Sequence, residues 1–156
     1  EDIGGMESPA LVVFQPRENP HVRLFCFPHA GGGPHAFRDW GLVLPETVEV
    51  QVLSYAGRGA RHAEPFAVDV DASIREAFAA IRGQGDRPAA LFGNSFGAVL
   101  AFEVARRLDA AGSAPLHVFA SSCAAPHLDA QCDRLSDLAD AALVTELTRR
   151  GWLADA

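Results

Sequence analysis

Ala89-Ala90-Leu91-Phe92-Gly93-Asn94-Ser95-Phe96-Gly97 is the stretch that decides the fold. Its first four residues (89–92) predict a short strand buried on both faces, and Gly93 to Gly97 predict a tight turn of the pattern G-x-S-x-G. A helix follows to about Ala111, with Val99, Leu100, Val104 and Leu108 as its buried stripe and Gly112 as its cap. A serine placed between strand and helix in this way sits in a strained turn that lifts its hydroxyl above the sheet edge. Side chains two positions to either side would collide, so both of those positions need glycine. The same turn aims the first N–H groups of the helix at the space around the hydroxyl, where they favour developing negative charge. The plain alternative is a Gly-Ser turn with no chemistry, and the surrounding sequence weighs against it.

Upstream, residues 22–27 (VRLFCF) form a strand that ends at Pro28, which a sheet ladder does not tolerate in its middle. The loop Pro28-His29-Ala30-Gly31-Gly32-Gly33 that follows lets backbone N–H groups approach a small anion. It lacks the lysine of a phosphate-binding P-loop, so the better expectation is an oxyanion hole formed by the N–H groups of Ala30 and Phe96. Residues 10–14 predict an edge strand and 36–43 a short helix. Residues 48–54 alternate Val48, Val50 and Val52 with polar neighbours, as in a half-buried strand. Apolar residues recur at helical spacing over 69–82. Downstream, 116–120 reads as another buried strand, and 135–141 and 141–150 as two helical stretches. Strands alternating with helices at this spacing imply one α/β domain with a mostly parallel sheet covered by helices on both faces.

The chain has 156 residues, 49% of them hydrophobic, and a net charge of −7. An acidic surface argues against nucleic acid and against anionic membrane as partners. Two local basic groups remain, Arg58 with Arg61 and His62, and Arg106 with Arg107. No apolar run is long enough to span a membrane. The three cysteines, Cys26, Cys123 and Cys132, are odd in number and fit no metal motif, which points to a reducing cytoplasm and no cysteine metal site. Glu1 to Gly5, ahead of Met6, are expected to be a tag remnant outside the fold.

At its loops the sequence resembles the type II thioesterases that accompany polyketide synthases and nonribosomal peptide synthetases. The resemblance is carried by Leu24-Phe25-Cys26-Phe27-Pro28-His29-Ala30-Gly31-Gly32, by Tyr55-Ala56-Gly57-Arg58-Gly59-Ala60-Arg61 with Glu64-Pro65, by Gly93-Asn94-Ser95-Phe96-Gly97-Ala98, and by Ala125-Pro126-His127. It implies an α/β-hydrolase core over 6–130 and the start of a helical lid over 131–156. It also implies a Ser-His-Asp triad with Ser95 as nucleophile, and hydrolysis of acyl groups from the phosphopantetheine arm of an acyl or peptidyl carrier protein, with no other cofactor. His29, Gly31, Asn94 and His127 are then candidates for contact with the substrate. Arg58 and Arg61 are candidates for the carrier protein or the phosphate of its arm, against a solvated surface pair as the alternative. The chain departs from the family pattern at Asn94, where histidine is common, and at Ala56, where proline is common.

In α/β-hydrolases the triad runs in the order serine, acid, histidine. Only 61 residues follow Ser95, so the chain is expected to stop before its own acid and base and to lack the later strands. His117 reads as a core strand residue, and His127, with Asp129 close by, as the better surrogate base. The competing expectations are another serine acyl hydrolase or acyltransferase, and a carrier-binding module without turnover.

Overall fold

The computed structural model describes residues 9–125, 137–151 and 153. The expected tag remnant, His127 and Asp129 lie outside them, as do residues 135 and 136 of the first C-terminal helical stretch expected over 135–141. The described part of that stretch is α-helical only from Asp140, because Ala139 before it is extended. The strands are β1 (Leu11–Val12), β2 (Val22–Phe27), β3 (Val48–Leu53), β4 (Ala89–Asn94) and β5 (His117–Ser121). The helices are α1 (Trp40–Val43), α2 (Val70–Arg82), α3 (Phe96–Ala110) and α4 (Asp140–Arg149). The expected helix over 36–43 is instead a 3₁₀ turn, Pro34–Phe37, followed by the single turn of α1.

The five strands form one sheet in the order β1-β3-β2-β4-β5, with β1 antiparallel and the others parallel. β2 leads toward β3 on one side, while β4 leads toward β5 on the other. Their outgoing loops therefore diverge, and the crevice beyond their carboxyl ends is a topological switch point, the usual ligand position in an open α/β sheet. Alternation along the strands sends Phe25, Phe27, Leu53 and Leu91 to the face covered by α2 and α3. Cys26, Val50, Val52 and Phe92 face the other way, onto Phe37 and Trp40 of the α1 region. Asp69 starts α2 by accepting a hydrogen bond from the Ala72 N–H at 2.6 Å. No helix among the described residues is long and apolar enough to cross a membrane.

Four sequence expectations are corrected. Val99 is 44% exposed, because it lies about 200° round α3 from Gly97, on the side away from Ala101, Val104 and Leu108. β3 is buried on both faces rather than one: Glu49 and Gln51 are enclosed beside Val50 and Val52. Glu49 stands opposite Arg23 in the β2–β3 register and pairs with it at 3.3 Å. Its carboxylate also accepts from Gln51 Nε2 at 2.7 Å and from the Arg17 N–H at 3.1 Å. β5, expected to be buried, exposes His117, Phe119 and Ala120, because among the described residues it pairs only with β4. His117 is accordingly no core residue; its ring lies against Phe119, 4.4 Å between centroids.

Candidate active site

β4 runs two residues further than its apolar run suggests, because Gly93 and Asn94 still pair with Ala120 and Ser121 of β5. Ser95 then turns the chain into α3 with φ 54° and ψ −118°, and its side chain is exposed. A non-glycine residue in that region is strained, and its neighbours show what enforces it. A Cβ on Gly93 would lie 2.5 Å from the Ala98 nitrogen and nearer still to the Gly97 carbonyl oxygen. A Cβ on Gly97 would lie 2.6 Å from the Pro28 oxygen and nearer still to that of Phe27. The two glycines thus let the turn fold tightly onto α3 and let α3 seat on the end of β2.

The Ser95 N–H is spent: it donates to the Ser121 carbonyl at 2.8 Å. Phe96 opens α3, where N–H groups have no intrahelical acceptor. Phe96 and the loop after β2 meet in a cleft of about 320 Å³ whose walls include Ala30, Gly31, Tyr55, Arg58, Phe66 and Phe96. Within that loop Gly32 N–H closes a turn onto the His29 carbonyl at 2.9 Å, and Gly31 takes a positive φ of 77°. The His29 imidazole folds over Gly32, where a Cβ would meet it at 2.7 Å.

Four of the residues singled out from sequence therefore share one cleft: Ala30, Gly31, Arg58 and Phe96. Ser95 adjoins it through Phe96, and Asn94 closes β4 half-buried. His29 is exposed on the same loop, and His127 lies outside the described residues. Arg61 does not belong with them. It is 7% exposed, is bound by Glu64 and Glu76, and donates to the Ser54 carbonyl at 2.6 Å. The Glu64 hydrogen bond, more than any other contact, raises the Arg61 pKa and lowers that of Glu64. Arg58 and Arg61 are thus not a surface pair, and Arg58 instead stacks over the exposed Phe66 ring at 5.1 Å. The second expected basic group is likewise neutralised: Arg106 pairs with Glu103, and Arg107 with Asp71.

His117 cannot serve Ser95. It pairs with Ala90 at the start of β4, four residues before Asn94, which at strand rise is roughly 13 Å away. Sequence reasoning missed Tyr55 and Phe66 as cleft residues. Tyr55 is half-buried, lies edge-on to Phe96 at 6.4 Å, and donates its hydroxyl to the Pro28 carbonyl at 2.8 Å. Its position directly after a strand at the sheet's carboxyl edge was the available signal. No group of histidine, cysteine and carboxylate side chains able to hold a metal occurs among the described residues.

Comparison with known proteins is consistent with this geometry. A family model described as a thioesterase domain matches residues 22–155. AMB antimetabolite synthetase AmbE of Pseudomonas aeruginosa is 39% identical over 129 residues, 82% of this chain and 6% of that protein. A probable cadicidin biosynthesis thioesterase of Streptomyces griseus is 35% identical over 136 residues, 87% of this chain and 37% of its own length. The solved structure of BorB, a type II thioesterase from the borrelidin biosynthetic cluster, superposes with a TM-score of 0.82 at 31% identity. That match covers 98% of this chain and 62% of BorB, so the chain spans less than two thirds of each of these three proteins.

Proposed function

This chain belongs to the thioesterase domain family, and from that premise we propose that it carries the nucleophile of an editing thioesterase acting on acyl groups held by the phosphopantetheine arm of a carrier protein. The observation that carries the proposal is the state of the turn at Ser95. Its hydroxyl is exposed on strained backbone and its own N–H is committed to Ser121, while the next N–H, of Phe96, begins a helix beside a cleft shared with Ala30.

Ser95 Oγ attacks the thioester carbonyl and loses its proton to a general base that we place outside the described residues. The carbonyl oxygen becomes an oxyanion held by the N–H groups of Ala30 and Phe96. The C–S bond breaks, the pantetheine sulfur leaves as thiolate, and water then hydrolyses the acyl-serine to the free acid and regenerates Ser95. A thiolate leaves readily, so oxyanion stabilisation carries much of the rate, about 10²–10³-fold per donor. Arg58, on its Phe66 platform at the cleft wall, is the cation offered to the arm's phosphate or to an acidic carrier; Arg61 is withdrawn from that role by its carboxylates. No resident cofactor is needed, since the pantetheine arm belongs to the substrate. The free thiols Cys26 and Cys123 suit a reducing cytoplasm.

The test is hydrolysis of acyl-pantetheine carrier substrates together with fluorophosphonate labelling and peptide mapping. Label is expected on Ser95, and Ser95→Ala should lose turnover by at least about 10³-fold. A folded sample that takes no label, or a Ser95→Ala variant with unchanged turnover, sinks the proposal. Transfer of the acyl group to a second thiol instead of water would make the protein an acyltransferase.

A further inference from the structure

We propose that Tyr55 is a positioning residue, fixing through the Pro28 carbonyl the spacing between the two backbone donors that face the reacting carbonyl. The inference rests on the hydrolase reading of Ser95 and extends it to a residue that makes no contact with Ser95 in the ladder or the turn.

The β2–β3 ladder pairs Val22 with Val48 and ends at Cys26 with Val52. Continuing the same offset would set Tyr55 opposite His29. The ladder cannot reach that far, because Pro28 has no N–H to give. In place of a backbone rung, the Tyr55 hydroxyl donates to the Pro28 carbonyl at 2.8 Å. Together with the Phe27 carbonyl, which lies nearer, the Pro28 carbonyl is also one of the atoms against which α3 seats: a Cβ on Gly97 would fall 2.6 Å from it. One buried oxygen is thus gripped from two sides, by a side chain two residues past the end of β3 and by the first turn of α3. Ala30 lies two residues beyond it, and Phe96 one residue before Gly97. Moving the Pro28 peptide therefore changes the distance between the Ala30 and Phe96 N–H groups.

The Tyr55 ring completes the brace by lying edge-on to Phe96 and lining the same cleft. Burial pushes the Tyr55 hydroxyl pKa upward, so it remains a proton donor throughout the working range of pH.

Tyr55→Phe removes the donated hydrogen bond and leaves the ring. In the polypeptide that carries this chain, kcat for an acyl-pantetheine substrate is expected to fall about 10- to 100-fold. KM should stay within about twofold, because ground-state contacts are untouched. Hydrogen exchange of the amides at 29–33 should quicken, while exchange in α2 and β3 stays as in the wild type. A merely structural role would instead quicken exchange across the sheet and leave kcat per folded molecule unchanged. Unchanged kcat, or unchanged exchange at 29–33, overturns the inference while the active wild type leaves the hydrolase reading standing. A folded wild type with neither turnover nor label overturns the hydrolase reading, and the role of Tyr55 falls with it.

Discussion

At the amino ends of β2 and β3, Arg23 and Glu49 stand opposite one another and close on each other, with Gln51 and the Arg17 backbone completing the carboxylate's shell. At the carboxyl ends of β2 and β4, Ser95 is exposed on strained backbone, and the N–H at the start of α3 is left without a helical acceptor. β2 runs through both regions. One end withdraws polar groups from water and matches the Glu49 carboxylate, though Gln51 Oε1 and Arg17 Nε are buried there without a hydrogen-bond partner; the other keeps polar groups available and holds them by steric exclusion. The difference shows where this fold gains stability and where it gives some up: buried charge is tolerable when each partner is matched, and strain persists when the surroundings allow no alternative.

Substitutions at the two ends should separate these roles. The largest effect is expected from Gly97→Ala, whose methyl would strike the Phe27 and Pro28 carbonyls, backbone atoms with little freedom to yield. It should cost about 3 kcal/mol or more in urea unfolding and abolish fluorophosphonate labelling of Ser95. A variant that folds and labels normally would mean that the turn is not held by close packing. Next, Glu49→Ala should cost about 2 kcal/mol by removing the charged acceptor that Arg23 and Gln51 share and leaving them Gln84 alone. Labelling per folded molecule should not change, and a parallel loss of labelling would show that the two ends are coupled. The smallest effect has the opposite sign: Ser95→Gly should stabilise the fold by about 1 kcal/mol while removing all activity, because glycine relieves the positive φ. An unchanged urea midpoint would show that no strain is stored there.

The parts of the site legible in sequence are those whose cause is local. Gly93 and Gly97 are required by contacts within a few residues of the serine, or by the end of the strand next to it. Pro28 and the glycines after it mark the end of a strand by backbone chemistry alone. What escaped the sequence depends on neighbours far along the chain. Arg61 looked like a surface cation because Glu76, one of its two carboxylate partners, lies on a helix 15 residues later. Glu49 and Gln51 looked solvent-facing because alternation reveals two faces but not whether both are covered. β4 and β5 are similarly apolar in sequence, yet only β4 has a strand on each side among the described residues. Tyr55 was passed over because its partner, Pro28, is set by the register between two strands.

The hydrogen bond from Ser95 to Ser121 ties the reactive corner to the rim of the sheet. Opening of β5 would transmit mechanically to the pivot beneath the serine, loosening its aim before the rest of the core responded. Conversely, a neighbour laid along that rim would act as a damper on the corner, so the firmness of β5, outermost among the described strands, would tune the chemistry proposed beside it.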